Sequence, residues 1–199
     1  MQIIKDTMWA LEQPQSLAFS NVAVNIRMTI TRLSTGGLLV YNPIAPTDEC
    51  IDFVRALDAP VKYILLGCAA YEHKVFVGPF ARRWPQADVY VAPRQWSFPL
   101  DLPVQFFGIF PVGELRHNDN ETPWAADFEQ KVLTAPKFAV AGRYSEAALF
   151  HKASRTVVLT ETLIQIPRKP PPCISAGARL TDFCGRQRRT HRLAGATVR

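Results

Sequence analysis

Three short apolar runs, at residues 38–41, 61–66 and 89–91, recur along this 199-residue chain with helix-compatible sequence between them. Leu38-Leu39-Val40-Tyr41 and Ile64-Leu65-Leu66 show no polar alternation, which is the pattern of strands covered on both faces. A covered strand, a helix and a second covered strand form a βαβ unit with parallel strands, so the chain is predicted to be α/β. The start of the first helix is marked in the sequence. Pro43 and Pro46 cannot donate to a ladder, Thr47 is an N-cap residue, and Asp48 and Glu49 place negative charge at the positive helix end. The helix is expected over residues 48–57, with Ile51, Val54 and Leu57 on one side. A second, shorter helix is expected over 75–84, interrupted near Gly78-Pro79.

Ahead of the first run, Val22, Val24, Ile26, Met28 and Ile30 alternate with polar residues, a period of two that predicts a half-buried strand. Gly36-Gly37 then supplies a turn, so this strand and residues 38–41 should pair as a hairpin. Residues 93–123 are rich in proline and aromatics, as in Gln95-Trp96-Ser97-Phe98-Pro99 and Phe106-Phe107-Gly108-Ile109-Phe110-Pro111. We read them as an irregular packed excursion, because a linker would not carry so much aromatic area. A helix is expected over 124–133 and short strands over 138–140, 147–151 and 156–159. From Pro167 the sequence Arg168-Lys169-Pro170-Pro171-Pro172 ends regular structure. The expected organisation is a folded domain over 1–167 and a basic, Pro/Arg-rich, disordered tail over 168–199.

Charge follows the same division. Of 23 Lys and Arg and 17 Asp and Glu, residues 168–199 hold eight and one, so the net +6 belongs to the tail and the body is close to neutral. Arg186, Arg188, Arg189, Arg192 and Arg199 could contact nucleic-acid phosphates, although an unpatterned basic tail is ordinarily a solvated one. No apolar run approaches the roughly 18 residues that cross a bilayer. Asp6 and Glu12 stand where a signal peptide would be basic and then apolar. The expectation is a soluble protein, cytoplasmic by default. Cys50, Cys68, Cys173 and Cys184 share no CxxC spacing, and the intervals to His191 fit no zinc template, so reduced thiols are expected.

In open α/β sheets ligands collect at the carboxyl edges of the strands. Those positions carry Cys68, Glu72 and His73, then Glu146 and His151, then Glu161, an alphabet of metal donors. Each also has an ordinary reading. Glu72 and His73 suit a solvated helix start, His151 suits a turn, and Glu146 and Glu161 suit surface carboxylates, of which Glu161 follows an apolar strand and is the better placed. Trp96, Phe98, Trp124 and Phe150 could line a pocket or fill the core.

The order of these residues resembles the metallo-β-lactamase fold, an αββα sandwich, here incomplete at its C-terminal end. In that fold the strand matching Ile64-Leu65-Leu66 leads into a His-x-His-x-Asp-His metal motif. The resemblance places the two leading histidines on Cys68 and Ala70, the aspartate on Glu72 and the last histidine on His73, with the bridging aspartate near Glu161. Arg27-Met28-Thr29, the string Asn42 to Cys50, Tyr71-Glu72-His73-Lys74, Gly78-Pro79-Phe80-Ala81, Gln95 to Leu100, Pro123-Trp124 and Phe150-His151-Lys152 resemble one branch of that superfamily. That branch is the family catalogued as domain of unknown function 4336, common in photosynthetic organisms, and the resemblance runs from about Trp9 to Pro172. It implies a fold without an activity, and a plastid location in eukaryotes.

A two-metal hydrolase of this kind uses four or five histidines and an aspartate to hold ions about 3.5–4 Å apart. Four histidines occur here, with His117 in a polar loop and His191 in the tail. We therefore expect a degenerate metal site on a non-hydrolytic binding or structural module with no cofactor. The alternative is a mononuclear metal-dependent hydrolase, with one divalent zinc or iron ion on His73, His151 and a carboxylate from Glu72, Glu146 or Glu161. No partner is indicated.

Overall fold

A computed structural model describes residues 1–16, 23–95, 101–135 and 144–163. Two compact units are present, Met1–Leu11 with Arg27–Gln165, and Glu12–Ile26 with Ile166–Arg199. The described part of the second is the outer end of two strands, residues 12–16 and 23–26. The first unit carries the fold. The chain runs β1 (Gln2–Ile4), β2 (Met8–Ser16), β3 (Ala23–Arg32), β4 (Leu38–Tyr41), α1 (Asp48–Ala56), β5 (Val61–Leu66), α2 (Tyr71–Ala81), β6 (Asp88–Val91), a 3-10 turn (Val104–Phe107), β7 (Gly113–Glu114), β8 (Phe128–Thr134), β9 (Ser145–His151) and β10 (Thr156–Val158).

The architecture is α/β, with a mixed seven-stranded sheet in the order β1-β2-β3-β4-β5-β6-β7 and a three-stranded sheet in the order β10-β9-β8. β3 and β4 form the expected antiparallel hairpin, with Thr29 opposite Tyr41 and Arg32 opposite Leu38. From β4 to β7 every pairing is parallel. All four residues of β4 are buried, as continuous apolar runs require. Thr47 caps α1 by accepting from the Cys50 amide, and Cys50, Ile51 and Val54 are its buried residues. α1 and α2 each connect neighbouring parallel strands, an arrangement whose usual right-handed crossovers place both helices on one face of the sheet. The other face meets the second sheet in a single apolar cluster. Leu39, Tyr41 and Leu65 join Phe128, Ala147, Leu149 and Val158 there, around the fully buried Trp124. Trp124 packs edge-on to Tyr63 and Tyr90 at 5.4 and 4.9 Å between ring centroids, which makes it core rather than pocket lining. About 200 Å² of buried indole contributes on the order of 5 kcal/mol before entropy is counted.

Several expectations are corrected. Residues 124–133 are not a helix: a turn precedes β8, where Phe128 and Gln130 are buried and Glu129 and Lys131 are exposed. The ladder of β8 with β9, from Phe128 opposite His151 to Thr134 opposite Ser145, outweighs the helical preference of Glu, Gln, Lys and Leu. α2 starts at Tyr71, four residues early, and is not interrupted. Pro79 costs it only one late hydrogen bond, and the Arg82 amide still reaches the Gly78 carbonyl at 3.1 Å. The N-terminal residues, assigned no element, form β1 and β2, with Met8, Trp9 and Ala10 buried. The excursion 93–123 supplies the 3-10 turn and the edge strand β7. The strand at 138–140, Trp96, Phe98, Cys173, Cys184, His191 and the whole of 168–199 lie outside the described residues.

Candidate functional site

β4, β5 and β6 run parallel, so their carboxyl ends share one edge, and the chain leaving each strand brings a polar residue there. Beyond β5 the chain crosses to the second sheet. Cys68 forms an antiparallel bridge with Glu146, the Ala147 amide donates to the Gly67 carbonyl at 2.7 Å and the Ala69 amide to the Ser145 carbonyl at 3.0 Å. The beginning of β9 therefore lies at the end of β5.

Asn42, directly after β4, is fully buried with φ +48°, a conformation that asparagine tolerates better than most residues. Its Oδ1 accepts from the Gly67 amide at 2.7 Å, and its Nδ2 donates to Thr160 Oγ1 at 2.6 Å with Cys68 Sγ at 3.8 Å. Thr160 Oγ1 donates in turn to the Tyr41 hydroxyl at 3.2 Å, and that hydroxyl donates to the Ala147 carbonyl at 2.7 Å. Burial, then the neighbouring Cys68, hold the Tyr41 phenol well above its ordinary pKa. Glycine is required at position 67, because a Cβ there would stand 2.2 Å from the Tyr41 ring.

Glu146 is the most heavily hydrogen-bonded of the expected site residues. It is 1% exposed, which corrects its reading as a surface carboxylate. Its carboxylate accepts from three successive backbone amides, those of Thr160, Glu161 at 3.0 Å and Thr162 at 2.6 Å, and from the hydroxyls of Thr162 and of Tyr144 at 2.6 Å. Burial pushes its pKa up, but the hydrogen bonds from Thr162, Tyr144 and Thr160 outweigh it and hold the group below the ordinary carboxylate value.

Glu161, whose backbone Glu146 fixes, reaches back to α2. Its Oε1 lies 3.4 Å from His73 Nε2, and the His73 ring is buried with Nδ1 lacking a hydrogen-bond partner. Lys74 is next on the helix and also fully buried. Its Nζ sits 5.9 Å from the centre of the Phe107 ring, and burial lowers its pKa to about 8. The Cys68 thiol is inaccessible, and burial, with the negative charge of Glu161, Glu146 and Glu72, drives its pKa far above the ordinary thiol value. From the end of β6, Gln95 Nε2 donates to the carbonyls of Cys68 and Ala92, both at 3.0 Å.

Of the five expected site residues, His73, Glu161 and Glu146 are thus linked in one chain of contacts, and Glu72 stands half-buried in the first turn of α2. His151 is not part of it. It ends β9 five residues beyond Glu146, about 17 Å along the strand at 3.3 Å per residue. There its Nδ1 pairs with Ser154 Oγ at 2.7 Å and its ring packs 5.0 Å from Phe128. An ion between His73 and Glu161 would be beyond its reach, since metal–nitrogen bonds are about 2.0–2.1 Å. Among the described residues no three His, Cys, Asp or Glu side chains are grouped to hold one metal ion. Sequence reasoning missed Tyr41, Asn42, Tyr144, Thr160 and Thr162. Only Asn42 left a signal, as an asparagine breaking an apolar strand before Pro43.

The model of a family described as a domain of unknown function (DUF4336) matches residues 5–196. The match extends past Pro172, where the resemblance read from the motifs stopped, and takes in most of the basic C-terminal stretch. No curated protein is similar enough to count as a match.

Proposed function

The chain belongs to the DUF4336 family, and from that premise we propose that it is a non-hydrolytic binding or structural module on a metallo-β-lactamase-like scaffold without a two-metal centre. The scaffold reading is supported by two sheets sharing one apolar cluster and by α1 and α2 connecting successive parallel strands of the larger sheet. Among the described residues the chain has the two sheets and one pair of crossover helices of an αββα sandwich.

The observation that carries the functional reading is the state of the two donors at the old metal edge. Cys68 is fully buried where the chain leaving β5 bridges to Glu146 at the start of β9, so its side chain belongs to the packed interior. Glu146 has its carboxylate oxygens committed to five donors that belong to the fold. Ala70 offers no donor at all. Hydrolysis by a metal-bound hydroxide needs an open coordination position held by about three protein ligands.

One contact favours the single-ion alternative, the approach of Glu161 to His73 beside Glu72. Metal analysis of the purified full chain separates the two. The module reading expects no stoichiometric zinc or iron. Two tightly held ions per chain would overturn it, and one ion lost in His73→Ala would show a single-ion site at His73. No described helix is long and apolar enough to cross a membrane.

A further inference from the structure

We propose that the 3-10 turn and the loop that follows it, residues 104–112, form a rigid apolar wedge that docks the protein on the surface of an anionic lipid bilayer. Phe106, Phe110 and Val112 are 70, 71 and 61% exposed. Of the nine large apolar side chains exposed among the described residues, these three fall within seven positions, with Tyr71 at their border.

The segment that presents them is pinned from below. Ile109 is fully buried between the exposed residues, and Phe107 packs edge-on to Tyr71 at 6.1 Å and lies under Lys74. Gly108, at φ +69°, closes the turn with its amide on the Gln105 carbonyl at 2.9 Å. Gly78 of α2 admits the loop backbone, for a Cβ there would meet the Phe107 carbonyl at 2.2 Å. A loop so anchored does not fold its phenylalanines into the domain beneath it.

Area and charge choose the occupant. Two phenylalanines and a valine exposed to this extent present about 400 Å², half of the roughly 800 Å² that one partner of a stable protein complex covers. Protruding side chains bury on all sides when they enter the headgroup–acyl boundary of a bilayer, where a few apolar residues beside cations are enough for reversible binding. The cations are present. Arg82 and Arg83, both exposed, directly follow α2, and Arg82 Nη1 lies only 3.2 Å from where a Cβ on Gly108 would stand. Guanidinium groups pair bidentately with phosphate oxygens. Asp101, the nearest acid upstream, faces Lys74 electrostatically. This surface borders the first turn of α2, and the proposal does not depend on the function proposed for the strand edge.

The test is sedimentation of the full chain with phosphatidylcholine vesicles, with and without phosphatidylglycerol, at low and high salt. Binding is expected to the anionic vesicles. Phe106→Ser/Phe110→Ser should weaken it at least about tenfold at either salt with unchanged thermal unfolding, because both side chains are exposed. Arg82→Gln/Arg83→Gln should remove the preference for phosphatidylglycerol. The proposal is overturned if neither vesicle binds. It is overturned equally if the serine variant binds like the wild type with a loss of binding at high salt, which assigns the attraction to the basic residues 168–199. Self-association of the wild type that the serine variant abolishes, without vesicle binding, would make the surface a protein interface instead.

Discussion

Replacing Glu146 should do more damage than replacing any other polar residue at the strand edge. In Glu146→Ala, the amides of Thr160, Glu161 and Thr162 and the hydroxyls of Tyr144 and Thr162 lose their acceptor together. A hydrogen bond to a charged group contributes about 1.5–3 kcal/mol, and each donor left buried and unpaired costs about 1–3 kcal/mol. Water can reach the partly exposed 160–162 segment and restore part of this, so the expected loss is about 3–5 kcal/mol. That is a large share of the roughly 5–15 kcal/mol by which a domain is stable, and it lowers Tm by about 10 °C. Glu146→Gln separates charge from shape. Its amide keeps one acceptor oxygen but turns an NH2 toward donors, for a loss of about 2–3 kcal/mol. The pH dependence has a definite sign. The folded-state pKa of Glu146 lies below its ordinary value, so its contribution is complete above the ordinary carboxylate range and is lost as pH falls through the folded value. The gap between wild type and Glu146→Gln should therefore narrow on acidification. Calorimetry as a function of pH, with hydrogen exchange at Glu161 and Thr162, reads both effects. A Glu146→Gln protein that melts within about 1 °C of wild type, with those amides equally protected, would refute the reasoning.

Asn42→Ala should cost about 3 kcal/mol in urea unfolding, since it strands the buried Gly67 amide and places a β-carbon residue at φ +48°; a cost under about 1 kcal/mol would contradict it. Gly78→Ala must push the 107–108 backbone off α2 and should cost about 1–3 kcal/mol, seen as a lower Tm, and an unchanged Tm would show that the contact is not tight. Cys68 should resist iodoacetamide in the native chain and react once denaturant is added, as peptide mapping will show; labelling at the rate of a free thiol would reject its burial. Lys74 holds its proton less well folded, with a pKa of about 8, than unfolded, so the unfolded chain binds more protons above that pH and stability should rise toward the ordinary lysine value. Lys74→Met should flatten that rise in Tm measured from neutral to alkaline pH, and a slope equal to that of wild type would count against it.

Local signals were legible wherever one element decided its own structure. Continuous apolar runs announced β4 and β5, and Thr47 announced the start of α1, because burial on both faces and a single capping oxygen are properties of a few adjacent residues. β8 was not legible. Its Glu129, Lys131 and Leu133 favour a helix in isolation, and only the ladder with β9 makes them a strand. The same distinction governed the site. Cys68 and His73 follow the parallel strand β5, and the rule that ligands gather at carboxyl edges singles both out. Applied to β9 the rule points to His151, at the wrong end. β9 meets the chain leaving β5 antiparallel, with Glu146 opposite Cys68, so it is the beginning of β9 that shares the edge. Tyr144, Ser145 and Glu146 enter the site there while His151 closes a hairpin with Thr156 some five residues away. Strand direction depends on pairing between distant segments, which no local pattern records. In a mixed α/β chain the residues before an antiparallel strand therefore need to be weighed as site candidates alongside those after a parallel one. Here that reasoning selects Glu146, which accepts from the Glu161 and Thr162 amides and so fixes the loop from which Glu161 reaches His73 of α2, and Tyr144, which donates to the same carboxylate at 2.6 Å.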